Sequence, residues 1–138
     1  MTRIFLLDTN VVSDIMNGYS RKARQTLAAE SESSVIAISS ITAGELRFGI
    51  KKKNSVRLQT AFDEFCLGAQ VLPWDDAVAD VYADLRHALN RRGTSLDSLD
   101  MLIAAHAVAV DAVLVSRDGA FEQLKDLVKV VNWATDLK

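Results

Sequence analysis

Ile4-Phe5-Leu6-Leu7-Asp8-Thr9-Asn10 is the stretch on which the reading of the whole chain turns. Four apolar residues without alternation suit a strand buried on both faces, as in the middle of a parallel sheet. A carboxylate follows where that strand ends, and open α/β sheets place their ligands outside the carboxyl ends of their strands. Asp is also a good helix N-cap. Asp8 therefore reads equally well as a cap for the next segment and as a site residue, and the other acids of the chain have to decide.

Working outward, the chain alternates strand and helix signals. A short helical piece spans Val11–Met16 and closes at Asn17-Gly18. Ser20 caps a helix over Arg21–Glu30, and Val35–Ile38 is a β-branched second strand. A helix over Thr42–Lys51 follows, then one from Ser55 to a stop at Gly68. Val71-Leu72 is a weak third strand ahead of Pro73. Asp75 opens an amphipathic helix with Val78, Val81, Tyr82, Leu85 and Leu89 on one face, while Asp76, Asp80 and Asp84 form a solvated stripe opposite. Gly93 ends that region. Ser98–Val110 is apolar nearly all round, which predicts a buried helix. Val113–Val115 is a fourth strand, Ala120–Leu124 a short helix, and Val128–Val131 a fifth strand. This alternation implies a parallel sheet with helices on both faces.

The 138 residues suit one domain, residues 1–138, with no repeat or linker. A lone cysteine, Cys66, excludes an internal disulfide and suits a reducing compartment, so the cytoplasm is the expected location. Its place beside Phe62 and Phe65 marks a small core residue. No apolar stretch approaches the ~20 residues of a membrane span, and the start lacks a signal-peptide pattern. The net charge of −2 argues against a generic nucleic-acid coat but permits a local basic patch.

Four acids from distant segments fall on the edge that Asp8 occupies. In a parallel sheet all strand carboxyl ends share one edge, and the first turn of a crossover helix lies there too. Glu45 sits near the start of the helix after the second strand. Asp118 comes three residues after the fourth strand, and Asp100 begins the buried helix. Each has a bland alternative: helix-dipole charge for Glu45, a capping box for Asp97 and Asp100, a turn for Asp118 before Gly119. Their convergence is harder to explain blandly. Two carboxylates 4 Å apart repel by roughly 4 kcal/mol at an effective dielectric of 20, so a cluster of four calls for protons or a cation. All-oxygen ligation favours magnesium, with manganese as the alternative. Zinc is disfavoured by one cysteine and two histidines that are not spaced as ligands, and His106 reads as a packed residue. Hard metals on carboxylates suit phosphodiester hydrolysis. No nucleophile elbow or phosphate loop competes. An anionic substrate would need cations, and Arg47, Lys51, Lys52, Lys53, Arg57, Arg91 and Arg92 are the candidates to meet it.

The sequence resembles the PIN-domain ribonucleases, specifically the VapC-type toxins of toxin–antitoxin pairs, over nearly its whole length. The resemblance rests on Leu7-Asp8-Thr9-Asn10, Ser40-Ile41-Thr42-Ala43-Gly44-Glu45-Leu46 with Phe48-Gly49, Leu72-Pro73-Trp74-Asp75, Tyr82-Ala83-Asp84-Leu85-Arg86, Leu99-Asp100-Met101-Leu102-Ile103-Ala104-Ala105-His106-Ala107, and Val115-Ser116-Arg117-Asp118 before Phe121. It implies a three-layer α/β fold whose five-stranded parallel sheet has the order 3-2-1-4-5. It implies an acidic magnesium site on Asp8, Glu45, Asp100 and Asp118, with Thr9, Asn10 and Ser116 in support. It further implies RNA hydrolysis leaving 5′-phosphate and 3′-hydroxyl ends, a small antitoxin partner that blocks the site, and a homodimer. Two departures stand out. Ser95-Leu96-Asp97-Ser98 replaces a Pro-Ile-Gly-type lead-in and adds Asp97 as a fifth acid, a cap or an outer ligand. Ser116 replaces a commoner threonine and keeps the hydroxyl.

Two rival functions fit part of this pattern. A phosphatase could use Asp8 as nucleophile, although Asn10 stands where a haloacid-dehalogenase-type site wants a second Asp. A catalytically silent module could bind RNA or protein through the same acidic pit.

Overall fold

The computed structural model describes residues 2–137. Its elements run β1 (Ile4–Leu7), α1 (Thr9–Asn17), α2 (Arg21–Glu30), β2 (Val35–Ser39), α3 (Ser40–Lys53), α4 (Val56–Leu67), β3 (Gln70–Leu72), α5 (Asp76–Arg92), α6 (Ser98–Ala109), β4 (Val113–Val115), a 3-10 segment (Gly119–Leu124) and β5 (Val130–Val131). The strands form one all-parallel sheet in the order β3-β2-β1-β4-β5, as the resemblance implied. β1 is central. Leu6 stands opposite Ala37 on one side and Leu114 on the other.

The pleat explains why β1 is apolar throughout. Phe5 and Leu7 point into a core built with α1 to α4, where Trp133 packs on the Phe5 ring at 5.0 Å between centroids. Leu6 points into the opposite core with α5, α6 and Phe121. Successive side chains serve opposite faces, so a strand covered on both has no polar position. Cys66 is half-buried against the first core, and burial pushes its thiol up, away from nucleophile character. Asp76, Asp80 and Asp84 are exposed. Among the described residues no helix is long and apolar enough to cross a membrane.

Most helix starts follow from their caps. Ser20, Ser55, Asp75 and Asp97 each accept a backbone N–H in the following turn. Gly18 and Gly93 end α1 and α5 at φ +69°, in the left-handed region that glycine enters without strain. α3 begins at Ser40, two residues before the expected Thr42, because Ser39 caps it through Ile41 N at 3.1 Å. α6 stops at Ala109, and although most of it is buried, Leu99 and Val108 are exposed. The helix expected near Ala120–Leu124 is a 3-10 segment. β5 is two residues long and excludes Val128, whose N–H closes a turn on Leu124 O at 2.8 Å while its side chain enters the core.

Leu6→Ala should cost about 3 kcal/mol by chemical denaturation, since Leu6 has no solvent exposure and its site is walled by two strands. Leu67→Ala, at an 89% exposed position, should stay within about 0.5 kcal/mol.

Candidate active site

Asp8 is set by the end of β1. Its N–H donates to Val115 O at 3.0 Å, which ties it to β4. Its Oδ1 accepts from Val11 N at 2.9 Å, capping α1. Only 7% of the residue is exposed. That burial raises its pKa above the ordinary carboxylate range, against the Ser116 hydroxyl and the Val11 N–H; the Asp118 charge adds to the rise and Arg117 opposes it.

β4 delivers the next group. Ser116 is buried, and its Oγ accepts from Asp118 N at 3.0 Å while the hydroxyl faces Asp8. Asp118 in turn caps the 3-10 segment through Oδ1 and Ala120 N, at 2.9 Å. Asp100 is the third residue of α6. Its pKa is pushed up to about 6 by burial first, then by the negative charges of Asp97, Asp118 and Asp8, and by a hydrogen bond between its carboxyl and that of Asp118. Asp8, Asp100 and Asp118, from three separate segments, therefore lie within electrostatic reach of one another. Asp97 is exposed and caps α6 by accepting Asp100 N at 2.9 Å.

Glu45 sits in the second turn of α3, further along than the sequence placed it, and is exposed. With Thr9, Asn10, Met16, Leu46 and Lys53 it helps line a groove of about 190 Å³ between α1, α3 and α4. Thr9 donates from Oγ1 to Thr42 Oγ1 at 3.3 Å, which ties the start of α1 to α3.

Three of the expected cations, Arg47, Arg57 and Arg92, are committed elsewhere. Arg47 lies over the Phe62 ring, 5.5 Å from its centroid. Lys51, Lys52 and Lys53 form the last turn of α3, and Arg91 and Arg92 that of α5, where they complement the helix dipoles. Arg92 also pairs with Asp126, and Arg57 donates to Asn17 Oδ1 at 3.0 Å. The cation nearest the acids is one the sequence reading passed over. Arg117, between Ser116 and Asp118, donates from Nε to buried Asp14 at 2.6 Å. Its position inside the Ser116–Asp118 stretch was the available signal.

The donor chemistry suits a hard cation: carboxylate and hydroxyl oxygens, no sulfur, and burial that together with the neighbouring negative charges lifts Asp100 to about 6. Among the described residues no three acidic, His or Cys side chains are closed around a point where an ion could sit. His106 is not part of the set. It is buried in α6, with Nδ1 at 2.8 Å from Ser39 Oγ, and burial keeps its pKa low.

The PIN domain family matches residues 5–127. The ribonuclease VapC2 of Rickettsia felis is 30% identical over 132 residues, covering 94% of this chain and 98% of that protein. The toxin FitB of Neisseria gonorrhoeae is 32% identical over 130 residues, covering 86% and 91%. A crystal structure of VapBC2 from Rickettsia felis, bound to a DNA fragment from their promoter, superposes with a TM-score of 0.87 at 29% identity, covering 94% of this chain and 98% of that one. The chain belongs to the PIN-domain family, among its VapC ribonucleases.

The raised pKa of Asp100 gives a pH dependence with a definite sign. Folding favours its protonated form, so this contribution is complete below its unfolded value of 3.8 and is lost as the pH rises through about 6. Discounted for the solvent that reaches the group, it amounts to on the order of 1 kcal/mol. In chelator, the melting temperature should rise by about 3 °C between pH 7.5 and pH 5. Asp100→Asn should flatten that rise and melt higher than the parent protein at pH 7.5.

Proposed function

We propose that this protein is the toxin of a type II toxin–antitoxin pair, an endoribonuclease that hydrolyses RNA phosphodiesters to 5′-phosphate and 3′-hydroxyl ends. It depends on a divalent metal, magnesium by preference with manganese able to replace it, and acts in the cytoplasm where RNA is met. The observation that carries this reading is the meeting of Asp8, Asp100 and Asp118 beyond β1 and β4, with Asp100 pushed up to about 6 by burial first and by the neighbouring acids second. Membership of the VapC ribonucleases supports it.

Asp8, Asp100, Asp118 and Glu45 are the residues that would hold the ion. When bound, the metal supplies a Lewis acid for a phosphoryl oxygen and lowers the pKa of a bound water toward neutrality. The chain's own part is positional. Asp8 presents Oδ2, since Oδ1 is fixed by Val11 N–H. Ser116 holds Asp8 from the β4 side while fixing the backbone of Asp118. Asp100, pushed up to about 6, carries a proton below about that pH and releases it above, which adds its charge to the site. Asn10, which lines the groove with Glu45, would orient water or RNA in this reading. Asp97 sets the start of α6 and adds negative potential to Asp100 without joining the ligands.

The partner in this reading is a small antitoxin protein. The groove between α1, α3 and α4 suits one of its segments: Met16, Leu46, Ile50 and Leu58 make an apolar floor, and Asn10, Glu45 and Lys53 a polar rim.

Purified toxin should cut single-stranded RNA with magnesium, stop in chelator and leave 5′-phosphate ends that accept an adaptor by ligation. Asp8→Asn should lower the rate by more than about 100-fold. Asp97→Asn, which keeps the cap, should cost no more than about tenfold. An Asp8→Asn protein of undiminished activity, purified free of other nucleases, would refute the assignment.

A further inference from the structure

We propose that Arg117, held in place by Asp14, binds a backbone phosphate of the RNA beside the scissile bond; the inference rests on the endoribonuclease reading above. Asp14 lies in α1 and is only 4% exposed. Its carboxylate takes two hydrogen bonds from Arg117, from Nε at 2.6 Å and from Nη2 at 3.3 Å, across 103 residues of sequence. A buried carboxylate is costly without a partner. A bridge that merely joined α1 to the loop after β4 could be apolar at no loss of stability, so a charged one calls for another explanation.

The geometry of the guanidinium supplies it. Asp14 holds one edge, through Nε and Nη2, while the Arg117 side chain stays 38% exposed and its Nη1 has no partner among the described residues. Arg117 is also in electrostatic range of Asp8 and Asp118. A free arginine there would swing onto those carboxylates and neutralise them. One pinned by a buried acid stays at the rim as a fixed cation, with the donors of its other edge, Nη1 among them, left for a phosphate oxygen. The substrate needs such a group, because a polyanion must approach a cluster of carboxylates. Arg47 and Arg92, two of the cations expected from sequence, are engaged with Phe62 and Asp126. Arg117 touches the RNA in this scheme, and Asp14 is a positioning residue.

The test is steady-state cleavage of a fluorogenic single-stranded RNA pool of random sequence, at saturating magnesium, between about 50 and 300 mM KCl. Arg117→Gln should raise KM about tenfold with kcat within about threefold. The slope of log KM against log salt should flatten by about 0.7, the loss of one phosphate contact on a single strand. Arg117→Lys should keep most of the salt slope while losing part of the affinity. Asp14→Asn should raise KM in the same direction, yet add nothing in the Arg117→Gln background. Arg117→Gln leaves Asp14 buried without its partner and can fail to fold. The double variant Asp14→Asn/Arg117→Gln removes both charges and should show the same rise in KM and the same flattened slope. Unchanged KM and salt slope with only a lower melting temperature would make the pair a structural bridge and overturn the proposal. A changed magnesium requirement at constant KM would also overturn it, by assigning Arg117 to the carboxylates. An unmutated protein that cuts no RNA would overturn the endoribonuclease reading first and this inference with it.

Discussion

Repulsion among carboxylates at one edge of a parallel sheet is the constraint that the rest of this structure answers. Two such charges 4 Å apart oppose each other by roughly 4 kcal/mol at an effective dielectric of 20, a large share of the 5–15 kcal/mol that typically separates folded from unfolded chains. A flexible loop would relieve that repulsion by moving. Here the acids are attached where movement is costly. Asp8 follows a strand buried on both faces and is tied by its N–H to β4. Asp118 follows β4 and is fixed by Ser116 and by the segment it caps. Asp100 stands in the first turn of a buried helix. Burial and the remaining repulsion together appear as proton affinity, in the pKa of about 6 at Asp100.

The opposition between cap and site residue disappears in this arrangement. Asp8 and Asp118 are N-caps, and each uses Oδ1 for the task. A carboxylate has two oxygens with room for several donors. A bond from a helix N–H to one oxygen orients the other, and the helix terminus favours the ionised form. Capping is thus the means by which Asp8 and Asp118 are aimed. Asp97 shows the other case. It caps α6 in the same way but is exposed, and it reaches the cluster only through its charge on Asp100.

Much of this was legible in the sequence, because it is local or periodic. Unbroken apolar runs marked the strands. Ser20, Ser55, Asp75 and Asp97 marked helix starts, and the carboxyl-edge rule of parallel sheets assigned Asp8, Glu45, Asp100 and Asp118 to one edge before any coordinates. The strand order came with the family resemblance, since periodicity does not specify which strands are neighbours. What stayed hidden depends on partners far apart in the chain. Asp14 reads as an ordinary helix acid until Arg117, 103 residues on, is seen to hold it. Arg92 reads as a free cation until Asp126 is placed beside it. Glu45 was placed near the start of its helix because the expected start was Thr42, whereas the cap at Ser39 starts α3 at Ser40. The brevity of β5 has a similar origin, as Val128 is apolar for the core and not for the sheet.

The edge is also held from the side away from the groove. Ser39 ends β2, caps α3 through Ile41 and meets His106 of α6 at 2.8 Å. Trp74, just ahead of α5, accepts its place from two directions: its N–H donates to Ser40 Oγ at 3.0 Å and its indole Nε1 to Leu102 O at 3.0 Å. The beginnings of α3, α5 and the second turn of α6 are therefore linked by side-chain bonds and not by apolar contact alone. Apolar contact is tolerant of sliding, whereas a hydrogen bond with a buried partner loses most of its value within an ångström or less. α6 carries Asp100 and α3 carries Glu45, so these ties fix how far apart two acids from different crossovers can stand. A neutral histidine suits that task better than a lysine would, because it bonds Ser39 without adding charge beside the carboxylates. The polar contacts beside the site thus serve the same end as the caps on it: they hold like charges close together at one edge of the sheet.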